Sequence, residues 1–126
     1  MRKKIVIWID DIRNPYTNDY QWVREKLTIN PESCNIIWLK TYQSFINHIE
    51  AFGLPDVISF DHDLGLNQDG TEQNGLDCAK YLVDYCLNNN KELTTYINVH
   101  SSNPVGAESI KTLLKNYQNF YEQNKK

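Results

Sequence analysis

The chain has 126 residues, with 16 acidic and 13 basic side chains and a formal net charge of −3. That balance argues against a broad basic face for duplex nucleic acid, so duplex DNA is not an expected partner. The length suits one domain, residues 1–126, with a core that needs no disulfide or metal staple. Cys34, Cys78 and Cys86 are an odd number and lack Cys-x-x-Cys spacing, which fits a reducing, cytoplasmic setting. The basic start at Arg2, Lys3 and Lys4 superficially mimics a leader peptide. Asp10 and Asp11, however, interrupt the apolar run before the ~7–15 residues that such a segment needs. No apolar run approaches the ~20 residues of a membrane span, so no membrane partner is expected.

Ile5-Val6-Ile7-Trp8-Ile9 is apolar and rich in β-branched residues, the pattern of a strand buried on both faces. The segment from Tyr16 to Ser33 is less regular. Asp19 is placed to cap a helix carrying Tyr20, Val23 and Leu27, closed by Pro31. A second strand is expected over Ile36–Leu39. Tyr42, Phe45, Ile46, Ile49 and Phe52 then recur on one helix face, with Gly53 as the stop. Val57-Ile58-Ser59-Phe60 reads as a third strand. The polar stretch from Gly65 to Asn74 fits either a flap beside a site or a plain surface loop. Leu76, Ala79, Leu82, Val83 and Cys86 form a second helical stripe ended by Asn88-Asn89-Asn90. Tyr96-Ile97-Asn98-Val99 is a fourth strand, weakened by Asn98. Ala107, Ile110, Leu113, Leu114, Tyr117 and Tyr121 mark a last helix.

Alternating strands and helices imply parallel strands joined by right-handed crossovers. The expected architecture is a three-layer α/β/α fold with helices on both faces of a four-stranded parallel sheet, order 2-1-3-4. Three apolar runs stop at ionisable residues: Asp10-Asp11, Asp61-His62-Asp63 and His100-Ser101. In open α/β sheets the carboxyl ends of the strands are where ligands bind. Three converging carboxylates, Asp10, Asp11 and Asp61, repel one another unless a cation such as Mg²⁺ compensates them. While the backbone stays extended, Asp61 and Asp63 point one way and His62 the other.

His62 and His100 near one phosphate suit general acid–base work, with one taking a proton from water and the other protonating the leaving oxygen. Arg13 is suited to bidentate contact with phosphate oxygens. Ser101, Ser102, Asn103 and Pro104 supply hydrogen-bonding and turn residues ahead of the last helix. Gly106 allows close approach to that helix, whose free N–H groups suit an anion. Plainer roles compete for each position: a turn or cap for Asp10 and Asp11, packing for His62 and His100, and a surface arginine for Arg13. His48, in mid-helix, reads as a surface residue. Tyr20, Trp22, Trp38 and Tyr42 are candidates for stacking on a base, with packing the commoner use of such rings.

Three strings carry a family likeness: Ile9-Asp10-Asp11-Ile12-Arg13-Asn14-Pro15, Ile58-Ser59-Phe60-Asp61-His62-Asp63-Leu64-Gly65 and Val99-His100-Ser101-Ser102-Asn103-Pro104-Val105-Gly106. In that order, and at strand ends, they resemble the cyclic-phosphate-processing receiver-like domain family, a divergent branch of response-regulator receivers. The resemblance runs from about Lys4 to the last helix, and Thr17 to Ser33 matches poorly. It implies a flavodoxin-like fold with an acidic pocket. Asp10 and Asp11 match the metal-binding pair of receivers, and Asp61 matches the position phosphorylated in them. Ser101 falls near the hydroxyl residue that ends the fourth strand. His62 and His100 match the family's distinctive histidines. A receiver's fifth strand and its lysine have no counterpart here, so ordinary phosphosignalling through Asp61 is the least favoured role.

The resulting expectation is a metal-assisted phosphoesterase (a hydrolase) acting on a 2′,3′-cyclic end, including RNA ends, or on a cyclic nucleotide. His62, His100 and Asp61 would be catalytic. Arg13, Asp63, Ser101 and Asn103 would bind ligand or orient an imidazole. Asp10, Asp11 and Asp61 would hold Mg²⁺ or another divalent ion. The alternative is a non-catalytic module that binds a phosphorylated or cyclic nucleotide ligand, or a protein partner.

Overall fold

The computed structural model describes residues 3–16 and 34–124. The elements are β1 (Lys4–Ile9), β2 (Cys34–Leu39), α1 (Tyr42–Phe52), β3 (Val57–Phe60), α2 (Gly75–Asn88), β4 (Tyr96–Val99) and α3 (Pro104–Asn124). The helix expected between Tyr16 and Ser33 lies, beyond Tyr16, outside the described residues.

The strands form one parallel sheet in the order β2-β1-β3-β4. Parallel pairing follows from the crossovers, and burial follows from the apolar runs. Strand alternation sorts the side chains into two sets. Ile7, Ile9, Ile58 and Phe60 join the larger core with Phe45 and Ile49 of α1, Leu82 and Cys86 of α2, and Ile110 and Leu114 of α3. All three described helices therefore pack on one face. The opposite face carries Val6, Trp8, Cys34 and Val57, with Ile36 and Trp38 against them. Each large apolar side chain fully buried in these clusters contributes about 1.5–3 kcal/mol relative to exposure. Cys34, Cys78 and Cys86 are buried free thiols that serve as core.

Local chemistry fixes where the helices begin. Thr41 and Ser44 form a capping box on α1, and Asn74 and Asp77 form one on α2. Gly53 ends α1, its N–H donating to the Ile49 carbonyl. Asn103 caps α3, accepting the Gly106 N–H at 3.0 Å, and Pro104 follows at the first helical position. The loop after β3 is tied down rather than flap-like. Buried Asn67 accepts from Gln43 N–H and donates to Thr71 and Gln73, pinning the loop to the start of α1. Among the described residues, no helix is long and apolar enough to cross a membrane.

Candidate acidic pocket at the strand ends

The ladder continues one residue past the strands. Asp10 N–H donates to Leu39 O, Asp61 N–H to Ile9 O and His100 N–H to Phe60 O. These bonds hold Asp10, Asp61 and His100 side by side at the carboxyl edge of the sheet. Period-two alternation then puts them on the same face as Trp8, Ser59 and Asn98.

His100 sits at the bottom of this arrangement. Its side chain is 0% exposed, as is that of Asp10. The imidazole stacks on Trp8 with ring centroids 3.9 Å apart and planes 7° from parallel. Nδ1 lies 2.7 Å from Ser59 Oγ, and Nε2 lies 3.0 Å from Asp10 Oδ2. Asn98 Nδ2 donates to Ser59 Oγ at 2.8 Å. A carboxylate can only accept, so the hydrogen-bond pattern assigns the proton to Nε2 and leaves Nδ1 to accept from the Ser59 hydroxyl. The chain Asn98–Ser59–His100–Asp10 thereby aims one Asp10 oxygen. The other oxygen, Oδ1, accepts the N–H groups of Ile12 and Arg13, both at 2.9 Å. Trp38 Nε1 holds the Asp10 carbonyl, and Trp8 Nε1 holds the Arg13 carbonyl. Trp38 therefore packs on the loop rather than standing open to a base. Tyr20 and Trp22 lie outside the described residues.

His62 has a different setting. The strand ends at Phe60, so alternation does not carry through Asp61-His62-Asp63 as expected. His62 Nδ1 instead lies 2.9 Å from Asp63 Oδ1, with Asn103 Nδ2 at 3.4 Å. Its side chain is 17% exposed, and that of Asp63 is 76% exposed. The imidazole rests against the start of α3, where only glycine fits. A Cβ on Gly106 would come within 2.4 Å of the His62 ring. On the other side, a Cβ on Gly75 would come within 1.9 Å of the Asp61 carbonyl, and Gly75 N–H donates to His62 O. Two glycines thus let α2 and α3 close on the Asp61-His62 turn. Gly106→Ala is expected to push His62 out of its seat. The predicted result is a cost of about 1–3 kcal/mol from overpacking, read by denaturant unfolding, with His62 losing its contact to Asn103.

The carboxylates are poised unequally. Burial pushes Asp10 up, but hydrogen bonds from His100 and from the Arg13 and Ile12 N–H groups outweigh it, leaving Asp10 below its ordinary value. Burial pushes Asp61 up and the negative charge of Asp10 adds to that. The Ser101 hydrogen bond and the positive charge of Arg13 only partly offset these effects, so Asp61 sits above its ordinary value. Asp10, Asp11 and Asp61 each bring one carboxylate oxygen within 4.8 Å of the others. An all-oxygen set of this kind fits a hard divalent cation. Arg13 Nη1 lies among them, 3.3 Å from Asp10 Oδ2 and 3.2 Å from Asp61 Oδ2, while Nη2 donates to Ser102 Oγ at 3.2 Å.

The pocket brings together Asp10, Asp11, Arg13, Asp61 and Ser101. His62, Asp63 and Asn103 form a second group joined to it through the Asp61-His62 turn. Ser101 bonds to Asp61 and also accepts the Asn103 N–H. The Gly106 N–H, expected to greet an anion, is taken by Asn103. Ser59, Asn98 and Trp8 are the participants that the sequence reading passed over. Their signal was the matched offset, with Ser59 two residues before Asp61 and Asn98 two before His100. His48 is half-buried on α1 beside Phe52, away from these residues.

A parallel sheet of order 2-1-3-4 with an acidic cluster at its carboxyl edge defines a receiver-type domain. The family described as "Cyclic-phosphate processing Receiver domain" matches residues 5–116. The chain belongs to that family. No curated protein matches it. Among solved structures it is similar to a LuxR-family two-component response regulator from Aurantimonas sp. SI85-9A1. There the identity is 10%, the TM-score 0.50, and the match covers 88% of this chain and 69% of that one. It is also similar to the Salmonella typhimurium RcsB response regulator, with 20% identity and a TM-score of 0.52, covering 90% of this chain. The chain spans 49% of that RcsB chain. At these identities the likeness establishes the fold.

Proposed function

We propose that residues 1–126 form one receiver-like domain acting as a metal-assisted phosphoesterase on a cyclic phosphate, either a 2′,3′-cyclic end or a cyclic nucleotide. The observation that supports this reading best is the acidic cluster at the sheet edge, with His62 next to Asp61 in the chain and its Nδ1 engaged by Asp63. Asp10, Asp11 and Asp61 would hold Mg²⁺ or a similar ion, which when bound supplies charge neutralisation at the phosphate and acidifies water.

The chain's own residues supply the proton transfers. With Nδ1–H given to Asp63, Nε2 of His62 carries the lone pair. His62 takes the proton of the attacking water at Nε2 as the new P–O bond forms. It returns that proton to the ester oxygen as the ring P–O bond breaks. His100 has a positioning role in this reading. It is sealed under Trp8 with both ring nitrogens in contact, and it acts on the site by aiming Asp10. Ser101 and Asn103 line the phosphate side, and Asp63 acts on His62 rather than on the ligand.

The test is a panel of cyclic mononucleotides incubated with and without Mg²⁺ and followed by chromatography. Many turnovers with Mg²⁺ are expected. Ligand bound one to one with no product refutes the enzyme and selects the binding module. Affinity for Mg²⁺, read by calorimetry, is expected to fall on acidification at a higher pH than for an ordinary carboxylate site, because Asp61 is raised and the ion needs it ionised.

A further inference from the structure

Arg13 has two roles open to it, as the counter-cation of the acidic pocket and as a phosphate ligand, and the two compete. Its Nη1 lies 3.3 Å from Asp10 Oδ2 and 3.2 Å from Asp61 Oδ2. Those two carboxylates belong to the trio whose oxygens lie within 4.8 Å of one another. A guanidinium lodged against two of these carboxylates and a divalent cation drawn to the same trio compete for its negative charge. Each would desolvate the other, and their positive charges repel at a few ångströms. Neither the loop nor the backbone needs to move for an exchange. The Arg13 main chain is fixed on both sides of its Cα, its N–H donating to Asp10 Oδ1 and its carbonyl accepting from Trp8 Nε1. The side chain, 28% exposed, reaches toward the exposed Ser102 hydroxyl at the pocket rim.

We propose that Arg13 is a tethered cation that holds the acidic pocket closed and is exchanged for the divalent ion, so that metal loading turns Arg13 outward to bind the phosphate. The exchange makes metal and phosphate binding mutually reinforcing. A divalent ion breaks the Arg13 contacts to Asp10 and Asp61, and the guanidinium then lies at the rim on a short tether, with its planar fork suited to two phosphate oxygens. Phosphate in turn stabilises the outward arrangement, and by linkage it raises metal affinity by the same factor. The idea rests on the phosphoesterase reading only in its choice of phosphate as the anion. The metal exchange stands without it.

The experiment measures Mg²⁺ affinity by titration calorimetry on the full chain, without and with inorganic phosphate, for wild type, Arg13→Gln and Ser102→Ala. Arg13→Gln removes the competing cation, so Mg²⁺ alone is expected to bind about tenfold tighter than to wild type. Phosphate is expected to raise Mg²⁺ affinity by about fivefold or more in wild type, and by clearly less in Arg13→Gln. Ser102→Ala loosens only the exposed tether and leaves the core untouched, so it keeps the test alive if Arg13→Gln folds poorly. It is expected to tighten Mg²⁺ binding about two- to threefold, a share of the tenfold change. Equal or weaker Mg²⁺ binding in both variants overturns the proposal. So does an undiminished phosphate effect in Arg13→Gln, which would mean that phosphate acts on the ion alone. Absence of cyclic-phosphate turnover, with the exchange intact, would instead count against the enzyme reading.

Discussion

His62→Ala is expected to lower kcat for a cyclic mononucleotide by about 10²–10⁴-fold while leaving the fold in place. The side chain is 17% exposed; its polar contacts are to exposed Asp63 and to Asn103 at the long distance of 3.4 Å, and its ring packs against Gly106. Unfolding by denaturant should therefore show a loss of about 1–3 kcal/mol, small enough to leave the domain folded. The decisive comparison is with Asp63→Asn. That change leaves the imidazole in place and weakens only the group that selects its tautomer, so a smaller loss of kcat is expected, with KM little moved. If His62→Ala retained wild-type kcat on every cyclic phosphate that the protein turns over, the proton-transfer role would be wrong.

The split between the two histidines was only half legible in the sequence. The four strands announced themselves as short β-branched runs, and the polar residues after them marked the carboxyl edge. Parallel crossovers then gave the order 2-1-3-4. The start and stop of α1 followed from Tyr42-Phe45-Ile49 spacing and Gly53. What the sequence could not supply was the register between β3 and β4. Pairing Ser59 with Asn98 is what turns two polar residues that seem to spoil their strands into a buried hydrogen-bonded column beneath His100. Without that register, His62 and His100 look equivalent, since each follows a strand. In three dimensions one belongs to a turn and the other to the face of the sheet that carries Trp8. Arg13 was legible as a phosphate ligand by its chemistry, but its placement between two carboxylates depends on the Asp10 turn folding back on itself.

His100→Ala is expected to be the most destabilising single change at the site, by about 3–5 kcal/mol. It deletes a fully buried ring, removes a stacking partner from Trp8, and leaves Ser59 Oγ and Asp10 Oδ2 each short of a partner in a place water cannot easily reach. Against a domain stability of about 5–15 kcal/mol, that is a large share. His100→Gln restores a donor toward Asp10 but no stack, and should recover part of the loss. The pH dependence carries a matching signature. Asp10 is held below its ordinary value of 3.8, so the stability it contributes is fully present above that value. It is lost as pH falls through the lower native value. Because the His100 hydrogen bond is the largest of the effects that lower Asp10, His100→Ala should flatten this acid limb. Asp61, raised in the native state, works in the opposite sense. Its ionisation costs stability at neutral pH, and that cost is relieved as pH falls through its raised value. Denaturant unfolding of wild type, His100→Ala and Asp61→Asn between neutral and acid pH separates the two. Asp61→Asn should be no less stable than wild type at neutral pH. An acid limb of unchanged steepness in His100→Ala would show that the buried histidine does not govern Asp10, and the positioning role would fail with it.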